Sequence, residues 1–443
     1  MKQQFSNARQ NFLQRRYAVS LGRRYVLAAA GVMLMGAIGC SQLSNSSNSA
    51  FAESPLPKSE LQISEKPASI DTKLISANTR FGFNLFSQLL VQDSNKNIFV
   101  SPSSISLALA MTYNGADGST KKAMAKALEL QGMNLQQINS SYAELKASLE
   151  NTDSQVTLNI ANSLWADQNY SLKPNFIQNN QNFYQAKVTN LNFTDRNASK
   201  KINDWVKENT QGKIEKIVDK VEPNQVLYLL NAIYFKGSWT KQFESDKTAN
   251  FPFYLLSGRV KKHPMMSQSG KYRYYENQNF QAVSLPYGEN GRVSFYIFLP
   301  KQNYGLKSFY ENLNAANWDK WISQFAKREG FVRLPRFKMD YEVTLNDALS
   351  ALGMAEAFSS KANFSGMGNN LKISEVKHKA FVEVNEEGSE AAATTSVGIE
   401  LTSAAIPAQK PFQMIVNRPF FYAIRDNQTQ SILFMGSIVE PVS

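Results

Sequence analysis

At 443 residues with 43% hydrophobic side chains, the chain can bury a substantial core, and length alone suggests two or three domains. Its formal charge of +12 is uneven: residues 1–39 hold six of the 48 Lys and Arg and none of the 36 Asp and Glu, so half of the excess lies there and the rest carries no nucleic-acid signature. The sole cysteine, Cys40, excludes a disulfide in the later chain, and having only His263 and His378 excludes most histidine-built metal sites and leaves little for a Ser-His triad. Neither histidine stands in a nucleophile-elbow or zinc-ligand motif, so no metal, cofactor or catalytic residue is expected.

Residues 1–39 read as a signal peptide: Arg9, Arg15, Arg16, Arg23 and Arg24 precede an apolar run from Tyr25 to Ile38. That run is shorter than the ~20 residues of a comfortable membrane span. Ala37-Ile38-Gly39-Cys40 resembles a bacterial lipobox, with Ala37 where leucine is usual, and implies a bacterial lipoprotein exported and anchored to a membrane through lipidated Cys40. An ordinary cleavage site or an uncleaved anchor is the other reading of Cys40. Gly22-Arg23-Arg24-Tyr25-Val26-Leu27 partly resembles a twin-arginine signal, so the export route stays open. Residues 40–70, rich in Ser, Asn, Pro and charge, cannot form a core and are expected to be a flexible tether spanning about 30 Å by the square-root rule.

From residue 71 onward the pattern is mixed. Phe81, Leu85, Phe86, Leu89 and Leu90 recur at helical spacing, and Lys121, Lys122 and Lys126 read as the solvated face of another helix. Val293 to Leu299 reads as a strand, and no internal repeat interrupts the domain. A further strand over Ile373 to Asn385 runs into Glu386-Glu387-Gly388, after which local propensity and side-chain period disagree. Glu390 to Ala393 is strong helix-former sequence, yet Ser389, Ala391, Ala393, Thr395, Val397, Ile399 and Leu401 alternate with a more polar set at the period of a half-buried strand. Such a segment suits a loop that later enters a sheet; the plainer reading is an ordinary strand or surface loop.

A strand leading into this acidic, glycine-containing hinge resembles the serpins. Asn97-Ile98-Phe99-Val100-Ser101-Pro102-Ser103-Ser104-Ile105, Leu230-Asn231-Ala232-Ile233-Tyr234-Phe235-Lys236-Gly237-Ser238-Trp239, Leu334-Pro335-Arg336-Phe337, Asn363-Phe364-Ser365-Gly366-Met367, Asn417-Arg418-Pro419-Phe420 and Phe434-Met435-Gly436 look like that family's motifs, in its order. The resemblance covers roughly residues 70 to 443. It implies an α+β serpin fold over 71–443, with three β-sheets, eight or nine helices and an exposed reactive loop at about 387–410.

The resemblance also implies function: an irreversible inhibitor rather than an enzyme, monomeric, whose partner is a target serine protease held in a covalent complex. The hinge is then Glu386, Glu387, Gly388, Ser389, Glu390, Ala391, Ala392 and Ala393. Family spacing counted from Glu386 puts the reactive bond between Thr402 and Ser403. A longer stretch before Arg418-Pro419-Phe420 keeps Leu401 and Ala404 as alternatives. Ser101, Ser104, Asn231 and His378 match a polar cluster beneath the point where the central sheet opens, Trp239 matches the aromatic at its upper end, and Glu386 and Arg336 match an ion pair at the loop base. Read plainly, that pair is a surface contact worth less than about 1 kcal/mol. Ala380 to Gln409 contains no Lys or Arg, so a trypsin-like target lacks its cationic anchor and elastase-, subtilisin- or chymotrypsin-like enzymes fit better. The alternative is a non-inhibitory serpin acting as a surface binding, carrier or chaperone protein.

Overall fold

The computed structural model describes residues 70–150, 152–389 and 410–443. The expected signal peptide, most of the expected tether, Cys40, Glu390, Ala391, Ala392, Ala393 and the expected reactive-bond residues Leu401, Thr402, Ser403 and Ala404 lie outside the described residues.

Helix Thr72–Asp93 begins where the Asp71 carboxylate accepts the Lys73 N–H, and Phe81, Leu85, Phe86 and Leu89 are buried along one stripe, as their spacing requires. Ser101 caps the next helix, Pro102–Tyr113, with Pro102 at its first position. Every residue of this second helix is buried, because it packs on strand Leu227–Ser238 on one side and strand Ile432–Ile438 on the other. Among the described residues there are nine α-helices.

Two hydrogen-bonded sheets carry the fold. The smaller has six strands in the order Phe337–Thr344, Glu375–Val384, Gly388–Ser389, Leu227–Ser238, Val156–Asp167 and Lys187–Leu191. The larger has nine, and the 17-residue strand Val260–Glu276 runs through it, pairing with Ala249–Tyr254 and Ala326–Pro335, and at its end with Phe280–Pro286. Continuity through this strand is why three expected sheets appear as two ladders. Strand Leu227–Ser238 is buried on both faces, which explains its nearly unbroken apolar sequence. One face meets the inner core; the other is covered by helix Ala198–Asn209, whose Ala198, Ile202 and Val206 pack on Tyr228, Tyr234 and Phe381. Ile202 and Val206 each contribute about 1.5–3 kcal/mol on full burial.

The two central strands of the smaller sheet, Leu227–Ser238 and Glu375–Val384, pair in parallel from Glu375↔Tyr228 to Phe381↔Tyr234. Above Phe381 they part. The two-residue strand Gly388–Ser389 occupies the top of that gap.

Candidate functional site

Strand Glu375–Val384 ends in a tight turn built by Asn385. Its side-chain Oδ1 accepts the N–H groups of Glu387 (3.1 Å) and Gly388 (3.2 Å), while its own N–H donates to the Gly388 carbonyl at 2.9 Å. The chain therefore reverses and enters antiparallel to both neighbours, with Ser389 opposite Val384 on one side and Gly237 on the other, and Gly388 opposite Ser238. Only glycine fits at 388: a Cβ there would come within 2.0 Å of the Gly237 carbonyl oxygen and 2.7 Å of the Ser238 Cα.

Aromatic side chains frame this seat. The Trp239 indole stacks on the Tyr287 ring at 4.4 Å and 11°, and its Nε1–H donates to the Asn385 carbonyl at 2.9 Å. The Trp239 N–H also donates to the Glu387 carbonyl (2.9 Å), and the Phe243 N–H to the Glu386 carbonyl (2.8 Å). Tyr287 and Ser389 share a hydroxyl–hydroxyl bond of 2.6 Å, and burial holds the Tyr287 phenol protonated by raising its pKa.

At the loop base, Arg336 Nε lies 3.3 Å from Glu386 Oε2, and the Thr248 hydroxyl donates to Oε1 at 2.6 Å. The expectation of a plain surface pair is only half right: the Arg336 side chain is 41% exposed but that of Glu386 only 9%. A carboxylate so nearly buried depends on both partners.

Lower in the sheet, His378 and Asn231 are register partners and nearly fully buried. His378 Nε2 accepts the Ser101 N–H at 3.2 Å, so the ring proton sits on Nδ1 and is donated to Asn231 Oδ1 at 2.6 Å. Asn231 Nδ2 in turn donates to Ser104 Oγ and to Asn162 Oδ1, each at 2.5 Å, while Ser101 Oγ donates to the Leu433 carbonyl at 2.6 Å. No carboxylate joins these bonds. Burial lowers the His378 pKa to about 3, so the ring is neutral and the cluster is a chain of neutral hydrogen bonds across the two strands.

The structure thus gathers the four residues of the polar cluster, Ser101, Ser104, Asn231 and His378, and places Trp239 at the upper end of the gap, against the hinge. Sequence reasoning missed Tyr287, Asn385, Thr248 and Asn162. An Asn three residues before a Gly is a turn signal that could have revealed Asn385; the others come from distant strands and carry no local mark. Among the described residues, no group of three or more His, Cys, Asp or Glu is placed to hold a metal ion.

A family model described as serpin (serine protease inhibitor) matches residues 76–441. The chain belongs to the serpin family. Leukocyte elastase inhibitor of Bos taurus is 37% identical over 383 residues, which cover 83% of this chain and 100% of that protein. Among solved serpin structures, the thermophilic Tengpin in its native state superposes with a TM-score of 0.77 at 34% identity, covering 84% of this chain and 95% of its own. Human thyroxine-binding globulin in complex with thyroxine superposes with a TM-score of 0.76 at 28% identity, over 84% of this chain and 99% of that one.

Proposed function

We propose that this serpin is an irreversible suicide inhibitor of serine proteases. The target's serine oxygen attacks the carbonyl carbon of Thr402, with Leu401 and Ala404 as neighbouring alternatives. The peptide bond to Ser403 breaks, Ser403 leaves as a free amine, and an acyl ester joins enzyme and loop. The freed loop then enters the smaller sheet before water reaches the ester.

The observation that carries this reading is the seat of Gly388 and Ser389. Continuing their antiparallel register six residues on sets Thr395 opposite both His378 and Asn231, which already face each other. One added strand therefore fits without sliding either neighbour; the two need only separate sideways. In that register Ser389, Ala391, Ala393, Thr395, Val397 and Ile399 share the core-facing side with His378 and Asn231, and this set has no charge. Each hydrogen bond gained contributes about 0.5–1.5 kcal/mol net, so a strand of on the order of ten bonds gains on the order of 10 kcal/mol. That is comparable to the stability of a typical domain, enough to distort a captured enzyme.

The similarity to leukocyte elastase inhibitors, together with a loop free of Lys and Arg, favours elastase-, subtilisin- or chymotrypsin-like targets. The test is incubation of the chain from residue 71 onward with an elastase-like and a subtilisin-like protease, read by denaturing gel and intact mass. A covalent adduct with release of a peptide starting at Ser403 supports inhibition; loop fragments alone refute it for those enzymes. A carrier role is the second reading, favoured by the likeness to thyroxine-bound globulin, and fragments without adduct would support it. Our reading further places the serpin outside the cytoplasm, tethered to a membrane by lipidated Cys40. Mass analysis of the membrane-extracted protein would detect or exclude that lipid.

A further inference from the structure

Among the described residues five large hydrophobic side chains stand exposed, and three of them, Tyr254, Leu256 and Val260, belong to the hairpin between strands Ala249–Tyr254 and Val260–Glu276. Single exposed apolar side chains are ordinary, but three at one tip ask for an explanation. Tyr254 and Val260 are register partners, as are Pro252 and Lys262, so these four side chains share the outer side of the hairpin, and all are exposed. Leu256 stands in the turn itself. On the inner side Phe253 is fully buried, and Phe251 lies under the Arg333 guanidinium at 3.7 Å. Half-buried Leu255 packs on the core, and its N–H donates to the Arg259 carbonyl at 2.9 Å. The Gly258 N–H donates to the Leu255 carbonyl (3.0 Å) and the Tyr254 N–H to the Asn417 carbonyl (2.8 Å). The tip is thus held in shape, with its apolar side chains turned to solvent for no reason that folding supplies.

The charge around the tip has one sign. From Ala249 to Tyr275 the chain contains no Asp or Glu. Lys261 is engaged by Glu440 Oε1 at 3.1 Å and the Pro441 carbonyl at 2.9 Å. Exposed Arg259 and Lys262 have no acidic partner among the described residues, and the Arg259 Nε reaches only the Ser257 hydroxyl, at 3.4 Å. A tyrosine with aliphatic neighbours, flanked by Arg and Lys, is the composition that settles at the boundary between lipid headgroups and acyl chains. A protein partner fits less well, because three half-exposed side chains on a protruding turn fall far short of the ~800 Å² per partner that a stable protein interface buries. Lipid is also what the sequence places nearby: a tether from lipidated Cys40 spans about 30 Å and keeps the domain close to a membrane without choosing which face it turns there.

We propose that this hairpin tip is a second, non-covalent contact with an anionic lipid surface. Tyr254, Leu256 and Val260 enter the headgroup boundary, and Arg259 and Lys262 pair with lipid phosphates. So small a contact suffices because the tether supplies the surface at high effective concentration. It also orients the molecule: Asn417, which holds Tyr254, is joined to Lys410 at the end of the reactive loop through strand Phe412–Ile415, on the order of 20 Å of extended chain. The loop is thereby kept at a set distance from the lipid, where it meets proteases working at that surface. This inference deepens the membrane placement proposed above and rests on it for the tether.

The chain from residue 71 onward holds every described helix and strand, spans the full length of its serpin relatives and contains no cysteine, so it folds as a unit and accepts a single probe. Leu256→Cys carries an environment-sensitive nitrobenzoxadiazole dye; Val91→Cys, at an exposed aliphatic position on helix Thr72–Asp93, is the labelled control. Each is titrated with vesicles of phosphatidylglycerol and phosphatidylcholine, with vesicles of phosphatidylcholine alone, and with both kinds containing a nitroxide-labelled lipid. The expected result is a blue shift and nitroxide quenching at position 256 but not at 91, on the anionic vesicles, weakening as salt rises. Apparent affinity should fall about tenfold with Arg259→Glu plus Lys262→Glu, and again with Tyr254→Ser plus Val260→Ser. An unshifted probe at 256, equal responses at 256 and 91, or an equal response to neutral vesicles overturns the proposal. A shift that needs no vesicles and grows with protein concentration assigns the tip to a second copy of the chain and overturns the lipid contact. Because the probed chain lacks Cys40, the two readings fail separately: a missing lipid on the membrane-extracted protein refutes the tether, whereas a silent probe at 256 refutes the hairpin contact alone.

Discussion

The Tyr287 hydroxyl lies 2.6 Å from the Ser389 hydroxyl, and this buried bond joins the larger sheet to the first loop residue seated in the smaller one. Tyr287 follows strand Phe280–Pro286 and carries the stacked Trp239 on its other side, so hinge position and indole environment are linked. Tyr287→Phe keeps the ring stack but leaves the Ser389 hydroxyl without that partner, which should weaken the seat by about 1–2 kcal/mol. We expect faster hydrogen exchange at Gly388 and Ser389 and a changed Trp239 emission. Unaltered protection of those two amides would show that backbone pairing alone holds the hinge.

Glu386→Lys removes the carboxylate that Arg336 and Thr248 hold and puts a cation against Arg336. With Arg336 partly exposed, solvent screening limits the loss to about 1–2 kcal/mol, but it falls on the turn that closes the top of the sheet. The variant should form polymers on mild heating, by insertion of one molecule's loop into another's opened sheet. Size-exclusion chromatography after graded heating checks this; a variant as monomeric as the parent sinks the idea.

Much of this site was legible in the residues. The strand expected over 373–385 is observed as Glu375–Val384, and Val293 to Leu299 lies within strand Val293–Pro300. Lys121, Lys122 and Lys126 fall on helix Gly118–Ala127, where Lys122 and Lys126 are exposed while Lys121 lies over the Tyr113 ring at 5.4 Å. The polar cluster was legible only through family resemblance, because Ser101, Asn231 and His378 are far apart in the chain. Tyr287 and Thr248 stayed hidden for a physical reason: each serves the hinge through one hydroxyl at the end of a strand, a placement that no periodicity encodes. Trp239 follows Asn231 by eight residues, just past the end of strand Leu227–Ser238, and that length of extended chain sets it at the upper end of the gap, away from the polar cluster.

Acid should loosen the sheet through His378. Its folded pKa, about 3, lies below the ordinary 6.5, so between those values the unfolded or opened state binds a proton that the native state refuses. The native state is therefore at full strength above about pH 6.5 and loses stability as pH falls toward 3, by up to about 1.4 kcal/mol per pH unit from this group. Burial lowers the His263 pKa as well, and its effect has the same sign. Thermal unfolding between pH 7 and pH 4 should show a falling midpoint, with a shallower fall in His378→Gln. Identical slopes for the two proteins would place the acid sensitivity elsewhere.

Register makes the sharpest prediction about the loop. If insertion continues from Ser389 in the pairing it already has, separating the strands breaks the 2.6 Å bond between His378 and Asn231 and brings the Thr395 hydroxyl between them. A hydroxyl both donates and accepts, so Thr395 can take the His378 Nδ1–H and return a hydrogen bond to Asn231 Oδ1, leaving neither buried group unpaired. Thr395→Val keeps the shape and removes the hydroxyl, which leaves both groups orphaned at about 1–3 kcal/mol each. Thr395→Arg puts a charge into the same closed space and should stop insertion there. The molar ratio of serpin to protease needed for full inhibition should therefore rise modestly for Val and steeply for Arg, with cleaved loop as the product. Insertion in a register shifted by one residue would place Thr394 or Ser396 there instead, turn the side chain of residue 395 toward helix Ala198–Asn209, and move the sensitivity to that neighbour.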